Sequence, residues 1–254
     1  MKSNAISRSR SRTRVVVYAG LLIAISAVLK LVFEVYIPLG GFPSLRINLT
    51  AIPTILSGII LGPGIGFLVG IITDLLCYVI KPGGPWFIGF TISSGLTGLI
   101  PGLFWMLFKK YDFRHIKWFN TCFIVIALAI LMVTGLFSFQ DGQIYYSGEV
   151  LNPFMLVLFA ALLFLFAAYP FIAERFMKKS EAQDTENLLV IVTFEQIVNS
   201  IILNTWFLSM LYGQAWMILL PARVITNIFL IPIYTIVLSG LLRVIPSKYL
   251  NIRS

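Results

Sequence analysis

Long apolar segments separated by short polar loops run through the whole chain. Stretches of about 17–25 apolar residues are long enough to cross a bilayer as helices, and shorter ones suffice where a helix is tilted or broken. Candidate spans lie at residues 15–36, 49–61, 64–81, 88–108, 118–138, 151–174, 188–211 and 215–243. The pattern predicts a polytopic membrane protein with eight helical spans.

The second and third spans are predicted to form one helical hairpin. They are joined by Gly62, Pro63 and Gly64, and this Gly-Pro-Gly sequence ends one helix and allows a tight turn into the next. Gly66 and Gly70 continue the glycines at a spacing of four. Such a stripe of small residues lets neighbouring helices approach closely, so its plain meaning is packing.

Composition supports the same class. The chain has 254 residues, of which 59% are hydrophobic and 11% charged, with a mean hydropathy of +0.94. A water-soluble globule of this size cannot hide that much apolar surface. The net charge of +9 sits in loops that flank the spans, where it faces anionic lipid headgroups. Membrane lipid is therefore the expected partner of these charges, and nucleic acid is not.

The basic loops also predict the orientation. Since Lys and Arg concentrate on the cytoplasmic side of a membrane protein, eight spans place both termini in the cytoplasm, and the localisation is the cell membrane. The first apolar run is too long for a cleaved signal sequence and is read as a retained span. The loop cations that alternate in this way are Arg8, Arg10, Arg12, Arg14, Lys109, Lys110, Arg114, Lys117, Arg175, Lys178, Lys179, Arg243, Lys248 and Arg253.

The sequence has few of the residues that metal, nucleophilic or ATPase chemistry requires. His115 is the single histidine, and Cys77 and Cys122 have no partner spacing, so they are interpreted as small buried hydrophobic residues. Metal catalysis and histidine-based nucleophilic catalysis are therefore not expected. The sequence contains no Walker A motif and cannot hydrolyse ATP by that route. No cofactor, no metal and no enzymatic activity are predicted.

Four cations lie against the orientation rule, in the predicted extracellular half: Lys30, Arg46, Lys81 and Arg223. Lys30 has a local explanation in an ion pair with Glu34 on the same helix face, and Lys81 has one in snorkelling at a helix end. Arg46 and Arg223 are harder to explain locally, because a buried arginine at membrane depth needs a cavity or a partner. Capture of an anionic small molecule is the simplest reason, and an internal pair with Asp74 or Glu195 stays open.

Two further features belong to this candidate pocket. Asp74 lies in the middle of the third span, and three states of its carboxyl group are open: protonated, paired with an arginine, or bound to donor nitrogens of a ligand. The Pro/Gly segment at 82–85 precedes Trp86, Phe87 and Phe90, and irregular backbone near membrane depth is tolerated only beside protein or a water-filled cavity. An interfacial aromatic belt is the alternative for these rings. Glu195, near the predicted cytoplasmic end of the seventh span, is expected to pair with a basic loop.

Two stretches carry a family resemblance. RINLTAIPTILSGIILGPGIGFLVGIITDLLCYVIKPGGPWFIGFT resembles the central part of the folate-family substrate-binding S components of energy-coupling factor (ECF) vitamin transporters. The second, NTWFLSMLYGQAWMILLPARVITNIFLIP, is similar to the closing two helices of that family and is the more specific of the two. Together with the first span, the resemblance covers about two thirds of the chain.

The resemblance implies an all-α bundle of six helices that binds its vitamin near the extracellular side without chemical conversion. It implies partners too: a transmembrane coupling subunit and two cytoplasmic ATPase subunits. On the first span, Gly20 and Ala24 stand in the family's AxxxA-type docking pattern, and small residues four apart support close helix contact on physical grounds as well.

The implied ligand also fits the candidate pocket. Folate combines a flat ring that stacks on aromatic side chains with a tail of two carboxylates that suits arginine. In this interpretation Arg46 and Arg223 bind the tail, and Asn204 and Asp74 bond the ring edge. Trp86, Phe87, Trp206, Tyr212 and Trp216 flank the ring.

The chain departs from the family between residues 111 and 187. Two extra apolar spans are predicted there, joined outside by SFQDGQIYYSGE, and KKSEAQDTEN is interpreted as a solvated linker back to the core. The chain is thus read as one membrane domain, with residues 1–110 and 188–254 as the S-component-like core. Two alternatives remain: an S component for another vitamin or a queuosine-type precursor, and an intramembrane enzyme that uses Asp74 and Glu195 as acid and base.

Overall fold

A computed structural model describes most of the predicted core. The described residues are 2–33, 35–39, 42–47, 49–82, 85–110, 122, 123, 126, 137–140, 143–146, 149–150, 179–213 and 216–245. Of the inserted region, the predicted span 118–138 has Cys122, Phe123 and Ile126 in helical conformation, and the predicted span 151–174 lies outside the described residues. Glu34, the expected partner of Lys30, lies outside them too.

The membrane-crossing elements are helical, as predicted. In chain order they are α1 (Lys2–Phe33), α2 (Ala51–Leu61), α3 (Pro63–Ile80), α4 (Ile88–Lys110), α5 (Lys179–Gln196), a π-helical segment (Ile197–Leu203), α6 (Asn204–Tyr212) and α7 (Trp216–Val244). Five stretches are long and apolar enough to span a bilayer: Thr13–Phe33, Pro63–Ile80, Ile88–Lys110, Asp184–Tyr212 and Arg223–Val244. With the shorter apolar helix α2, the described part of the chain contains six apolar helical stretches, which matches the expected six-helix core of a multi-pass membrane protein.

Short strands occupy some of the connections. The strands β1 (Val35–Leu39) and β2 (Phe42–Ile47) form a two-stranded sheet in the Pro/Gly segment between α1 and α2. The strands β3 (Phe137–Gln140), β4 (Gln143–Tyr146) and β5 (Glu149–Val150) form an antiparallel sheet in which Gln140 pairs with Gln143. This second sheet coincides with the polar sequence that was predicted to join the two inserted spans.

The chain divides into two compact units. Unit 1 comprises Met1–Ile37, Arg46–Asp112 and Val237–Ser254, and unit 2 comprises Pro38–Leu45 and Phe113–Ile236. In unit 1, helices α1 to α4 pack on one another, and α2 is almost completely buried. In unit 2, α5, the π-helical segment and α6 follow one another without a break, and the residues of α7 up to Ile236 belong with them.

Glycines bring α2, α3 and α4 into direct backbone contact. A Cβ atom added to Gly58 would overlap the carbonyl oxygen of Gly98, and one added to Gly98 would overlap the carbonyl group of Gly66. A Cβ atom on Gly70 would likewise overlap the carbonyl oxygen of Ser94. Helices in lipid associate largely through such close van der Waals packing, because lipid is as apolar as the side chains themselves.

The turn between α2 and α3 is as tight as predicted. Gly62 alone separates the two helices, and its φ of 91° lies in the region that favours glycine. Pro63 occupies the first position of α3, where the missing N–H costs no helical hydrogen bond. The predicted hairpin and its close packing through Gly66 and Gly70 are therefore confirmed.

Two expectations were wrong. The sequence KKSEAQDTEN is not a solvated linker, because α5 begins at Lys179 and both Thr185 (2% exposed) and Glu186 (6% exposed) are buried. Lysine, glutamate, alanine and glutamine all favour helix, so the polar composition did not prevent helix formation. Cys77 is buried as expected, whereas Cys122 is exposed.

We predict that Gly98→Ala destabilises the protein by about 1–3 kcal/mol, the usual cost of overpacking a filled interior. The new methyl group meets the backbone of Gly66, which cannot move aside as a flexible side chain can. The matched control is Gly64→Ala, because a Cβ atom at Gly64 has nothing within 4 Å. Thermal unfolding in detergent measures both, and equal midpoints for the two variants would contradict the packing described above.

Candidate functional site

In unit 1, Asp74 is bonded across two helices. The hydroxyl Oγ1 of Thr91 on α4 donates to Asp74 Oδ2 on α3 at 2.8 Å. Thr91 is buried and Asp74 is half-buried. A carboxylate has four lone-pair positions, so one hydroxyl donor leaves acceptor capacity for a ligand. Thr91 carries no signal in the sequence, because no local pattern links two residues on different helices.

Lys30 lies on the inner face of α1. It is 6% exposed, and it shares that face with Leu22, Ser26 and Ala27, which are also buried. Ser26 Oγ donates to the carbonyl oxygen of Thr50 just before α2, at 3.5 Å. Lys30, one turn beyond Ser26, is thus inside unit 1 rather than on the lipid side of α1.

Two other cations of unit 1, Arg46 and Lys81, lie at the ends of elements of secondary structure. Arg46 belongs to β2, four residues before Thr50, as expected for a residue ahead of the second span. Lys81 caps the C-terminus of α3, with its backbone N–H bonded to the carbonyl oxygen of Cys77 at 3.0 Å. Lys81 therefore stands at a helix end, the position from which a lysine side chain snorkels.

The aromatic residues before α4 are split in exposure. Trp86 is 50% exposed, whereas Phe87 is partly buried and packs edge to face on Phe90, with ring centroids 5.7 Å apart. Such a pair holds both rings in place. Phe87 is therefore fixed by its neighbour, while Trp86 retains an exposed face.

In unit 2, a hydrogen-bonded link joins α7 to the π-helical segment. Asn227 is fully buried, and its Nδ2 donates to Ser200 Oγ at 2.9 Å and to the carbonyl oxygen of Arg223 at 2.8 Å. Arg223 is partly buried, two turns after the start of α7 at Trp216, the depth expected from the sequence. Residues four apart share a helix face, so Arg223 and Asn227 lie on one face of α7.

Asn204 follows the π-helical segment directly, four residues after Ser200. The backbone N–H of Asn204 bonds to the carbonyl oxygen of Asn199, five residues earlier, and Thr205 Oγ1 donates to the carbonyl oxygen of Ser200 at 3.1 Å. π-helical turns are rare and are often found at functional sites. This segment has no recognised sequence signal, and the hydrophobic pattern predicted an ordinary helix here.

The structure does not bring all the predicted residues of unit 2 together. Successive α-helical residues are about 100° apart, so Asn204 and Trp206 point to nearly opposite sides of α6. The Oδ1 atom of Asn204 is buried, while Trp206 is 55% exposed and stacks on Phe207. Tyr212 is partly buried and lies nearer the Asn204 side. The side chain of Trp216 lies outside the described residues.

Glu195 is not near a helix end. The helix that contains it runs without a break from Lys179 to Tyr212, and Glu195 is 1% exposed. Its Oε1 accepts a hydrogen bond from Asn199 Nδ2 at 2.7 Å. The helix begins earlier than the apolar pattern indicated, so Glu195 lies further from the helix end than expected.

Gly20 and Ala24 lie on the outer side of α1. Both are exposed, and a Cβ atom at Gly20 would have nothing within 4 Å. The opposite side of α1 is the one that packs inside unit 1. The predicted docking pair therefore forms part of the exposed surface of α1.

Known proteins resemble the chain in sequence and in fold. A family model described as "ECF-type riboflavin transporter, S component" matches residues 10–159, more than half of the chain. Over 93 residues the chain is 32% identical to "Folate transporter FolT" of Clostridium novyi (strain NT), which is 37% of this chain and 51% of that protein. The chain thus matches about half the length of this curated relative.

A solved structure, "Crystal structure of FolT bound with folic acid", superposes with a TM-score of 0.53 at 18% identity. The superposition covers 91% of this chain and 93% of that chain. At this identity the likeness concerns the fold.

We predict that Thr91→Val lowers the free energy of unfolding by about 1–3 kcal/mol, because the half-buried Asp74 loses a hydrogen-bond donor. Thr91→Ser, which retains the hydroxyl, should recover most of the loss. The control on the same helix is Thr97→Val, since Thr97 Oγ1 donates to the carbonyl oxygen of Ser93, one turn earlier on α4, at 3.3 Å. Thermal unfolding in detergent is the measurement, and equal effects of the two valine variants would contradict a role for the Asp74 bond.

Proposed function

The chain belongs to the S-component family of ECF-type transporters, and we propose that it is the folate-binding subunit of an ATP-driven vitamin importer. The relative named as a folate transporter supports this ligand. The fold likeness to a protein solved with folic acid supports it as well.

One observation carries the assignment of the ligand. Unit 2 places Arg223 and Asn204 on two helices that are linked by the bond between Asn227 and Ser200. A guanidinium group binds a carboxylate through two parallel hydrogen bonds, and an amide both donates to and accepts from a heteroaromatic ring edge. We assign the carboxylate tail of folate to Arg223 and its ring edge to Asn204.

The remaining site residues stay predictions from the sequence. In unit 1 these are Arg46 for the tail, Asp74 for the ring edge, and Trp86 and Phe87 for stacking. In unit 2 Tyr212, on the Asn204 side of α6, is the better stacking candidate, and Trp206 is the weaker one because it faces away.

Riboflavin is the second candidate, since the matching family model carries its name. Riboflavin has a flat ring but no carboxylate, so it offers a guanidinium group no anion to bind. Folate offers two carboxylates, the groups that arginine binds through paired hydrogen bonds. Arg223 therefore favours folate, and a ligand panel containing both vitamins separates the two.

The family also argues against an enzyme, because S components bind a vitamin for transport. Asp74 and Glu195, the acid and base of the alternative hypothesis, are hydrogen-bonded to Thr91 and Asn199. These bonds give both carboxylates a role in packing and orientation.

Transport requires partners, and we propose a coupling subunit together with two cytoplasmic ATPase subunits. The exposed pair Gly20 and Ala24 on α1 supports contact with the coupling subunit. Folate enters from the extracellular side with both termini in the cytoplasm, as the loop charges predict.

We predict that the purified protein binds folate without ATP and that Arg223→Ala weakens binding by about 2–5 kcal/mol, the range for truncating one side of a buried charge pair. Arg223→Lys should recover only part, because an ammonium group cannot make the forked contact. Arg243→Ala, an exposed arginine at the end of the same helix, is the control and should bind normally. Calorimetry measures all four proteins. Saturation by riboflavin with no response to folate would replace the proposed ligand.

We predict that Gly20→Leu and Ala24→Leu abolish folate uptake in cells while the purified variants still bind folate. A bulky side chain separates the docking face from its partner without reaching the interior of unit 1. Gly240→Leu is the matched control, because Gly240 is also an exposed helical glycine with nothing within 4 Å of an added Cβ. Loss of binding in the α1 variants would show that the pair serves internal packing.

A further inference from the structure

We infer that Asn227 is a positioning residue, which fixes the π-helical segment against α7 so that one folate molecule contacts Arg223 and Asn204 together. This inference rests on the proposed function, since it needs a ligand with a charged tail and a polar ring. Asn227 itself does not touch the ligand in this account, because its side chain is fully buried.

The orientation of the Asn227 amide follows from its partners. One of them is the carbonyl oxygen of Arg223, at 2.8 Å, and a carbonyl oxygen can only accept. The nitrogen of the amide must therefore face Arg223 and Ser200, which leaves Oδ1 pointing elsewhere. Asn227 Oδ1 is buried and has no hydrogen-bond partner among the residues that the structure describes.

A buried acceptor without a donor destabilises a fold. A leucine of similar size would remove that acceptor, so an asparagine at this position is poorly explained by stability alone. An asparagine, unlike a leucine, makes directional hydrogen bonds. Its Nδ2 donates both to the carbonyl oxygen of Arg223 on α7 and to the hydroxyl of Ser200, which fixes the position of Ser200 relative to α7. A local cost in stability is a common accompaniment of a geometry that serves function.

Helix directions place the two ligand-binding groups at one level. α6 ends at Tyr212 and α7 begins at Trp216, and helices joined by so short a connection run antiparallel. Asn204 lies four residues after Ser200, and Arg223 lies four residues before Asn227. Both groups therefore stand about 6 Å from the link, one helical turn, on the side of the connection between the helices.

The π-helical segment makes this link necessary. Its seven residues bond at a spacing of five, a geometry that is less favourable than the α-helix and is used in short pieces. Ser200 lies within the segment, and Asn204 is the first residue after it. Anchoring Ser200 to Asn227 holds the direction in which Asn204 leaves the segment.

A ligand that touches both helices gains from a fixed spacing. Once one end is bound, the other end binds as if at high local concentration, and that gain falls when the two sites shift relative to one another. A fragment that touches only one helix gains nothing from the spacing. Loss of the Asn227 link should therefore weaken whole folate much more than either of its halves.

The experiment uses the full-length protein in detergent, carrying Ser200→Ala together with Asn227→Leu. Replacing both partners of a buried hydrogen bond by apolar groups is nearly neutral for stability, so the folded state is kept. Affinity is measured for folate, for 6-hydroxymethylpterin as the ring half and for p-aminobenzoylglutamate as the tail half. Fragments are measured up to millimolar concentration by displacement of radiolabelled folate.

We expect folate affinity to fall by about tenfold or more, the scale of a lost bidentate advantage, while each fragment changes by less than about threefold and the thermal midpoint is unchanged or higher. Ser200→Thr, which keeps a hydroxyl, should retain the affinity for folate. Thr235→Val is the control on α7, because the Thr235 hydroxyl is buried and bonds within its own helix, to the carbonyl oxygen of Ile231 at 2.8 Å. It should leave the ratio of folate affinity to fragment affinity unchanged.

Two results on the variant overturn the inference. Equal losses for folate and for its fragments, accompanied by a lower thermal midpoint, would make Asn227 a structural residue. Unchanged folate affinity would show that the link is not needed. Failure of the proposed function appears elsewhere, as a wild-type protein that does not bind folate at all.

Discussion

The contact of backbone with backbone among α2, α3 and α4 is the constraint on which unit 1 depends. In lipid, helices gain little from burying apolar side chains, so stability comes from close contact and from hydrogen bonds between helices. Gly58, Gly66 and Gly98 provide the contact, since each position would clash if it carried even a methyl group. The same closeness explains the bond between Thr91 and Asp74: a short threonine side chain reaches the carboxylate because α3 and α4 meet without side chains between them four residues away, at Gly70 and Gly95.

In unit 2, polar side chains rather than glycines join the helices. Its long helix carries buried polar side chains at intervals, among them Thr193, Glu195 and Asn199, and its link to α7 is a side-chain hydrogen bond between Asn227 and Ser200. Hydrogen bonds between membrane helices each contribute modestly, yet they are directional where packing is not. The proposed folate site, which needs an arginine and an amide at a fixed separation, would gain more from directional bonds than from close packing.

Sequence was sufficient where structure depends on local signals. The apolar periods predicted the crossing helices, the Gly62-Pro63 pair predicted the hairpin, and the depth of Arg223 agreed with the helix found. The failures have physical causes as well. The first residues of α5, from Lys179 to Asn187, are mostly polar, so a hydrophobic pattern gives no sign of a helix there. The helix forms because of residue propensity and burial against other elements. A π-helical segment differs from an α-helix by one residue in its hydrogen-bond spacing, which a hydrophobic pattern over seven residues cannot resolve. Thr91 and Asn227 acquire their partners only through tertiary packing.

The short length of α2 has an electrical consequence. Its 11 residues extend about 16 Å, whereas α3, which starts at the same turn, extends about 27 Å over 18 residues. The N-terminus of α2 and the neighbouring Thr50 therefore lie about 10 Å deeper than the far end of α3. Moving one charge across the whole membrane changes its free energy by about 2.3 kcal/mol at 100 mV. A depth of about 10 Å is about a third of the hydrocarbon thickness, so moving an anion to that depth changes its free energy by about 0.8 kcal/mol per charge. If the proposed folate site lies at the level of α2, binding of the anion would therefore be electrogenic, and the membrane voltage would change the affinity.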